Sequence, residues 1–268
     1  MIPKIIHYIW IGGKPKPDLI LRCIESWKKF CPDYEIREWN DDDAAKIDNH
    51  YMREALAAKK YAFASDVIRL HALKNEGGFY LDTDVELTQS IDKMRQYDFV
   101  SGYEDWQGIY APIVSAFMGA TKENNIINDL ISEYEKLSFI VDGEPDLTPN
   151  TARITAYFKR RFGINEPYDN HATTRLGNNG IIFPSYFFCL PEEGKENYAI
   201  HHFNASWHVH DNYKRKNIIS ICHHRLALFK RLFTQDEDKY PMRPNEIWLK
   251  KWHIGGDTVV ALLKKERK

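Results

Sequence analysis

Three groups of residues have the types and spacing to do chemistry. The sharpest is Asp82-Thr83-Asp84. In an extended backbone, residues two apart point the same way, so both carboxylates can converge on one divalent cation. A cation there would neutralise the diphosphate of a ligand, the usual role of metals in phosphate sites. Asp-x-Asp alone is common by chance, and a surface acidic turn is the plainer reading. Its setting raises it, because it follows the Gly77-Gly78 pair and the short apolar run Phe79-Tyr80-Leu81. The second group is Asp66 and Arg69, three apart on a helical segment just upstream. An exposed ion pair worth roughly 0.2–0.5 kcal/mol is the plainer reading. The functional one has Asp66 holding sugar hydroxyls with Arg69 fixed beside it. Ser65-Asp66 could also cap a helix, but the apolar segment before it argues against that. The third group is His201-His202, followed by Ser206-Trp207. In a strand the two imidazoles face opposite sides, so only one can share a site with a given neighbour. An imidazole joined to carboxylates suits Mn²⁺ better than Ca²⁺. For any lone histidine, a buried and hydrogen-bonded role is the plainer reading.

These groups need elements to position them. Lys4–Trp10 is a near-continuous apolar run ended by Gly12-Gly13, as a strand buried on both faces reads. Asp18–Phe30 carries Ile20, Ile24 and Trp27 at helical spacing. Tyr34–Trp39 alternates like a strand, and Asp41-Asp42-Asp43 opens a helical region with acids where a helix N-terminus favours them. Tyr61–Asn75 reads as a helix stopped by Gly77-Gly78, and Phe79–Leu81 as a strand running directly into the acidic pair. Strands alternating with helices predict a mostly parallel sheet covered on both faces, with ligands beyond the carboxyl ends of its strands. Gly12-Gly13 and Asp82–Asp84 then share one crevice. Further along, Tyr97–Val100 and Ala116–Met118 read as strands. Ile126–Leu137 and Thr151–Phe162 read as helices, Val141–Asn150 as a loop, and Ile181–Leu190 and Tyr198–Phe203 as strands.

The chain has 268 residues, 43% apolar and 28% charged, ordinary values for a folded domain and wrong for a disordered or collagen-like chain. Net charge is −1, but it is unevenly spread. Residues 209–268 hold 14 Lys+Arg against 7 Asp+Glu, and the remaining 208 residues hold 23 against 31. A catalytic body over 1–208 and a basic extension over 209–268 are therefore expected. Ile218, Cys222, Leu226, Phe229 and Phe233 follow a 3.6-residue period, which predicts an amphipathic helix and a mainly helical extension. Four cysteines form no Cys-x-x-Cys pair, so a reducing, cytoplasmic setting is expected. No stretch approaches 18 apolar residues, so no membrane span is expected. Neither a Rossmann fingerprint, a P-loop, a Gly-x-Ser-x-Gly elbow nor a His-Glu-x-x-His helix is present.

Taken together, IPKIIHYIWIGG, FASDVIRLHALKNEGGFYLDTDVE and IHHFNASW resemble glycosyltransferase family 32. That group contains the DXD sugar-binding region: bacterial capsular and lipopolysaccharide sugar transferases and yeast initiating mannosyltransferases. Its core is similar to the glucosylating domains of large clostridial toxins. The resemblance spans about residues 1–207. It implies an α/β fold of GT-A type, a mostly parallel sheet flanked by helices, a nucleotide-sugar donor, a divalent metal and retention of anomeric configuration. Position by position, it implies that Ile9 and Trp10 contact the nucleotide base. Ser65, Asp66 and Arg69 hold the donor sugar, and Tyr80 lies near the base or ribose. Asp82 meets the ribose and the metal's water shell, and Asp84 binds the metal. His201, or else His202, completes the metal site, and Ser206 and Trp207 close over the diphosphate. Ala205 stands where relatives often carry Gly, and LTPNTARIT matches only loosely the Gly-Pro helix start of many relatives. Pro149 and Asn150 fall there, near the donor sugar or acceptor.

The expectation is thus a Mn²⁺-dependent (or Mg²⁺-dependent) retaining hexosyltransferase. It would use a UDP-hexose, glucose or galactose, and a hydroxyl of a capsule, lipopolysaccharide or lipid-linked glycan as acceptor. The basic extension would give salt-sensitive contact with anionic lipid at the inner face of the membrane. No nucleic-acid partner is expected. A toxin-like enzyme modifying a protein shares the same core, so only the acceptor separates the two readings. A non-catalytic sugar-binding module would favour loss of Asp84 or Arg69, and both are present. Glycoside hydrolysis is disfavoured because Asp82 and Asp84 are too close in sequence to flank a scissile bond.

Overall fold

The computed structural model describes residues 1–106, 109–177, 179–204, 247–254 and 257–264. The chain divides into two compact units, Met1–Trp207 and His208–Lys268. In the first, β1 (Ile5–Ile9) is almost wholly buried, as its unbroken apolar run requires. Helix α1 (Asp18–Phe30) buries Ile20, Cys23, Ile24 and Trp27, the face its spacing marked. After β2 (Glu35–Trp39) come α2 (Asp41–Ala44) and α3 (His50–Ala57). The Asn40 side chain caps α2 by accepting the Asp42 and Asp43 N–H groups, and Asp43 reaches back to the Asn40 N–H. Helix α4 (Tyr61–Glu76) leads into β3 (Gly78–Leu81), with β4 (Val85–Leu87) close behind. Then follow β5 (Phe99–Gly102), β6 (Glu104–Trp106), β7 (Ile109–Ala111), β8 (Phe117–Ala120) and α5 (Asn125–Tyr134). The loop expected over 141–150 contains half of a minimal hairpin, β9 (Ile140–Val141) with β10 (Glu144–Pro145). Helix α6 (Asn150–Phe162), β11 (Thr174–Leu176), β12 (Gly180–Phe183), α7 (Ser185–Phe188) and β13 (Ala199–His201) complete the unit. The strand expected to run from Ile181 to Leu190 therefore breaks in two. Pro184 cannot donate to a strand ladder, and it stands as the N-terminal cap of α7 instead.

Seven strands form one sheet in the order β11-β12-β5-β8-β3-β1-β2. β1 is parallel to β2 and β3, and β5 is parallel to β12. β8 runs against both β3 and β5, and β11 runs against β12. Five of the seven strands thus point the same way, the mostly parallel α/β sheet that was expected. Alternate side chains enter opposite cores. Tyr80, Phe99 and Ile182 pack on one face, with residues of α3–α6, while Phe79, Val100 and Ile181 pack on the other, with α1 and α7. The parallel pairing Ile6↔Phe79 and His7↔Tyr80 places the carboxyl ends of β1 and β3 side by side. Gly12-Gly13 and Asp82–Asp84 follow those ends.

The Gly77-Gly78 pair does more than stop α4. Both residues have positive φ, +66° and +100°. A Cβ at Gly78 would lie 2.7 Å from the Ile5 carbonyl oxygen, and one at Gly77 would lie 2.6 Å from the Lys122 nitrogen. Beside them His7 is completely buried. The Trp39 Nε1–H donates to His7 Nδ1 at 3.1 Å, which places the ring proton on Nε2, 2.7 Å from the Gly77 carbonyl oxygen. Burial lowers the His7 pKa to about 4. The unfolded chain therefore binds more protons here between pH 6.5 and 4, and this site's stabilisation is lost as pH falls through that window. We expect an NMR titration to find the His7 ring neutral down to about pH 4, and a midpoint near 6.5 would refute this arrangement.

In the second unit, β14 (Ile247–Ile254) and β15 (Asp257–Lys264) form an antiparallel hairpin. This corrects the expectation of a mainly helical extension for these residues. Their sequences are rich in Trp, Ile, Val and Thr and flank Gly255-Gly256, a hairpin signature that overrides any helical period. The amphipathic stripe from Ile218 to Phe233 lies outside the described residues. Among the described residues, no helix is long and apolar enough to cross a membrane.

Candidate active site

The site is built from α4, the β3–β4 turn and the end of β13. Asp66 and Arg69 lie mid-helix in α4, so the capping reading of Ser65-Asp66 does not hold. Both are buried, which removes the exposed ion-pair reading too. Arg69 Nη2 lies 3.0 Å from Asp66 Oδ1, and Nη1 lies 3.3 Å from Asp82 Oδ1. Nη1 also donates to the Ser115 carbonyl at 2.9 Å, and the guanidinium covers the Tyr80 ring at 4.5 Å. One planar cation thus ties helix to turn, a role that suits its fixed fork of donors. Ser65 serves this arginine: its hydroxyl accepts from Arg69 Nη2 at 3.3 Å and donates to the Ala62 carbonyl at 2.6 Å. The Tyr80 hydroxyl donates to Asp82 Oδ1 at 2.6 Å.

Asp82-Thr83-Asp84 is a turn and not extended chain, with the Val85 N–H donating to the Asp82 carbonyl at 2.9 Å. The extended-backbone argument for convergence is therefore replaced, while its result stands. Ligand atoms of Asp82, Asp84 and His201 lie within 4.8 Å of one another. β13 brings the histidine by pairing antiparallel to β4, His201 opposite Val85. His201 Nε2 stands 3.6 Å from Asp84 Oδ1, and among the described residues its buried Nδ1 has no hydrogen-bond partner. Past β13 the chain turns at Phe203, whose φ is +48°, and the Asn204 N–H donates to Asp84 Oδ2 at 2.8 Å. His202 faces away and meets Glu86 Oε2 at 2.9 Å. Of the two histidines, His201 is the one beside Asp82 and Asp84.

Burial sets the electrostatics. It pushes Asp66 up to about 7 although the Arg69 charge pulls it down. It raises Asp84 as well, with Asp82 adding to the rise and His201 opposing it, and it lowers His201. Two crowded carboxylates beside a neutral imidazole make a donor set that a divalent cation would relieve. Of the other expected contacts, Ile9 packs into the core at the end of β1, with 7% of its surface exposed. Trp10 is half-buried at the end of β1, and its Nε1–H donates to the Lys14 carbonyl at 2.6 Å. Ser206 and Trp207 lie outside the described residues.

Two further polar residues neighbour the site, and the sequence pointed to the first of them. Asn150, at the start of α6, donates to Asp66 Oδ1 at 2.8 Å and accepts from the Ser115 hydroxyl at 3.3 Å. The resemblance placed it, with Pro149, near the donor sugar or acceptor, and here it stands against Asp66. Glu104 on β6 is a partly buried acid pushed up to about 7 by burial and then by the Asp82 charge. Nothing in its local sequence signals that.

Residues 17–100 match the family described as glycosyltransferase sugar-binding region containing DXD motif. Over that stretch the chain is similar to DXD glycosyltransferases. A protein named "Toxin" from Photorhabdus asymbiotica is 27% identical over 176 residues, covering 50% of this chain and 6% of the toxin. Inositol phosphoceramide mannosyltransferase 3 of Schizosaccharomyces pombe is 31% identical over 100 residues, covering 36% of this chain and 28% of the mannosyltransferase. The chain therefore spans only a small part of these curated relatives. Among solved structures, the PaToxG glycosyltransferase aligns at 23% identity with a TM-score of 0.44, over 60% of this chain and 70% of that one. The matched residues hold two Asp-x-Asp triplets, Asp41-Asp42-Asp43 at the start of α2 and Asp82-Thr83-Asp84, and only the second lies beside His201.

Proposed function

We propose that this protein is a metal-dependent, retaining glycosyltransferase. It moves a hexose, glucose or galactose, from a UDP-sugar to a hydroxyl of a surface glycan. The observation that carries the reading is the convergence of Asp82, Asp84 and His201, tied through Arg69 to the buried Asp66. Asp82, Asp84 and His201 would hold a Mn²⁺ or Mg²⁺ ion. When bound, the ion supplies positive charge beside the departing diphosphate. The chain's own residues do the rest. Asp66 holds sugar hydroxyls, Arg69 fixes Asp66 and Asp82 relative to each other, and Tyr80 orients Asp82 through its hydroxyl. Trp10 stacks on the base. Among the described residues none is placed as a covalent nucleophile, which favours front-face substitution. The bond from the anomeric carbon to the phosphate oxygen breaks, the bond to the acceptor oxygen forms on the same face, and the acceptor proton passes to the leaving phosphate.

The Photorhabdus toxin relative favours a second reading, a toxin-like enzyme that glycosylates a protein. The mannosyltransferase relative, named for the lipid inositol phosphoceramide, favours a lipid-borne acceptor over a protein. Screening nucleotide-sugars for hydrolysis with and without Mn²⁺ tests what both readings share, because it needs no acceptor. We expect metal-dependent release of UDP from UDP-glucose or UDP-galactose. Equal release with and without metal, or none from any nucleotide-sugar, would remove the proposal.

A further inference from the structure

The proposed reaction leaves Glu104 without a role. This residue opens β6 just beyond the carboxyl end of β5, and the backbone ties that spot to both halves of the Asp82–His201 cluster. On one side, the Val114 N–H donates to the Gly102 carbonyl at 2.7 Å and the Asp82 N–H donates to the Ala116 carbonyl at 2.8 Å. Residues 114–116 therefore bridge the end of β5 to the DXD turn, and they include the Ser115 carbonyl that accepts from Arg69. On the other side, the Cys189 thiol donates to the Asp105 carbonyl at 3.5 Å, and the Cys189 carbonyl accepts the His201 N–H at 2.8 Å. Glu104 is half-buried, and its charge acts on those of Asp82 and Arg69. Among the described residues its carboxylate takes no hydrogen bond and stands in no ion pair. A carboxylate drawn out of water beside another carboxylate is costly unless a ligand brings it a donor.

Its place says which ligand. The sheet order β5-β8-β3-β1 sets the carboxyl ends of β1, β3 and β5 along one edge. Trp10 follows β1 and the DXD turn follows β3, so a nucleotide laid from Trp10 to the turn points its diphosphate toward β5. Glu104 stands past that end, on the side from which a second substrate meets the anomeric carbon. The attacking hydroxyl passes its proton to the departing phosphate, so it has none for a carboxylate. The hydroxyl left for Glu104 is a neighbouring one.

We propose that Glu104 takes a hydrogen bond from a hydroxyl adjacent to the one that attacks. The acceptor is then a vicinal diol, the pattern of a sugar ring, and not an isolated protein hydroxyl. Water meets the same demand, with one O–H for the phosphate and one for Glu104. This inference rests on the active-site reading given above and adds the acceptor chemistry that the site selects.

The test uses the full chain with Mn²⁺, UDP-glucose or UDP-galactose, and two small alcohols in water. Ethylene glycol carries adjacent hydroxyls, and its monomethyl ether carries one. Wild type should transfer to the diol about tenfold faster than to the ether, beyond what the extra hydroxyl gives by number. Glu104→Gln should slow hydrolysis about tenfold and erase the preference, with KM for the donor and calorimetric affinity for UDP unchanged. It should melt no lower than wild type, because it relieves Asp82 of a like charge. Glu104→Asp keeps the charge and should keep part of the preference. Equal transfer to the two alcohols by wild type, or transfer to neither, overturns the proposal. So does a raised KM or weaker UDP binding in Glu104→Gln, which would make Glu104 a donor contact. A lower melting temperature alongside the lost rate, with the preference gone from Glu104→Asp as well, would make it structural. If wild type shows no metal-dependent release of UDP, the reading of the active site fails and this inference goes with it. Metal-dependent release without a diol preference sinks the inference alone.

Discussion

Asp84→Asn should cut Mn²⁺-supported donor hydrolysis by orders of magnitude while leaving the fold intact. Asparagine keeps the size of the side chain and an oxygen that can still accept the Asn204 N–H, now at 2.8 Å. What it removes is one negative charge from the cluster proposed above to hold a dication. Each ~1.4 kcal/mol of lost transition-state stabilisation is a factor of ten in rate. The same substitution should leave the metal-free protein as stable as before, or more so. Asp84 is buried, and both burial and Asp82 push its pKa up, so its ionised form is disfavoured without a cation. Activity and stability should therefore move in different directions, as expected where a site stores unfavourable charge for function. Metal titrations of hydrolysis paired with metal-free melting curves measure both. Wild-type activity at limiting Mn²⁺ would exclude Asp84 as a ligand.

The second large effect concerns Arg69. Arg69→Met leaves Asp66 buried without its cation and Asp82 without its 3.3 Å partner. Breaking a buried pair by removing one member costs about 3–5 kcal/mol, because a charge stays behind uncompensated. The variant should therefore melt well below wild type at pH 7 and bind donor poorly. Its pH dependence gives a sharper check. Asp66 already stands near 7 in the folded protein against 3.8 as its ordinary value, and Arg69 is the main influence holding it down. Without Arg69 the folded value rises further. A carboxyl whose pKa is raised on folding contributes stability below its unfolded value, and that contribution is lost as pH rises toward the folded one. The deficit of the variant should thus shrink between pH 7 and pH 4.5. Parallel melting curves for both proteins would contradict a buried Asp66–Arg69 pair.

Much of this architecture was legible in the chain. Helix α1 was read to the residue because Ile20, Ile24 and Trp27 keep a strict period on an otherwise charged segment. The run from α4 through the Gly pair to the DXD was equally clear, since each element ends on a residue that cannot continue it. Less was legible where structure depends on distant partners. β4 is three residues long and has no period of its own, and it exists because β13 pairs with it. Glu104 joins the site through topology, which composition does not encode. The hairpin of β14 and β15 was missed because the helical stripe before it was extended too far.

The hydrogen bond between Asn204 and Asp84 closes a stretch of 120 residues. The order in which the enzyme comes into being follows from it. Both aspartates are synthesised early, yet the histidine that completes their cluster arrives only after the rest of the sheet has emerged. A nascent or truncated chain ending before Ala199 carries the DXD without the strand that delivers His201. Closing so long a loop is slow compared with forming local helices, so the site should be among the last features to mature. A bound cation would then act as a clasp on the finished domain, drawing β13 onto β4 and favouring the assembled state by mass action.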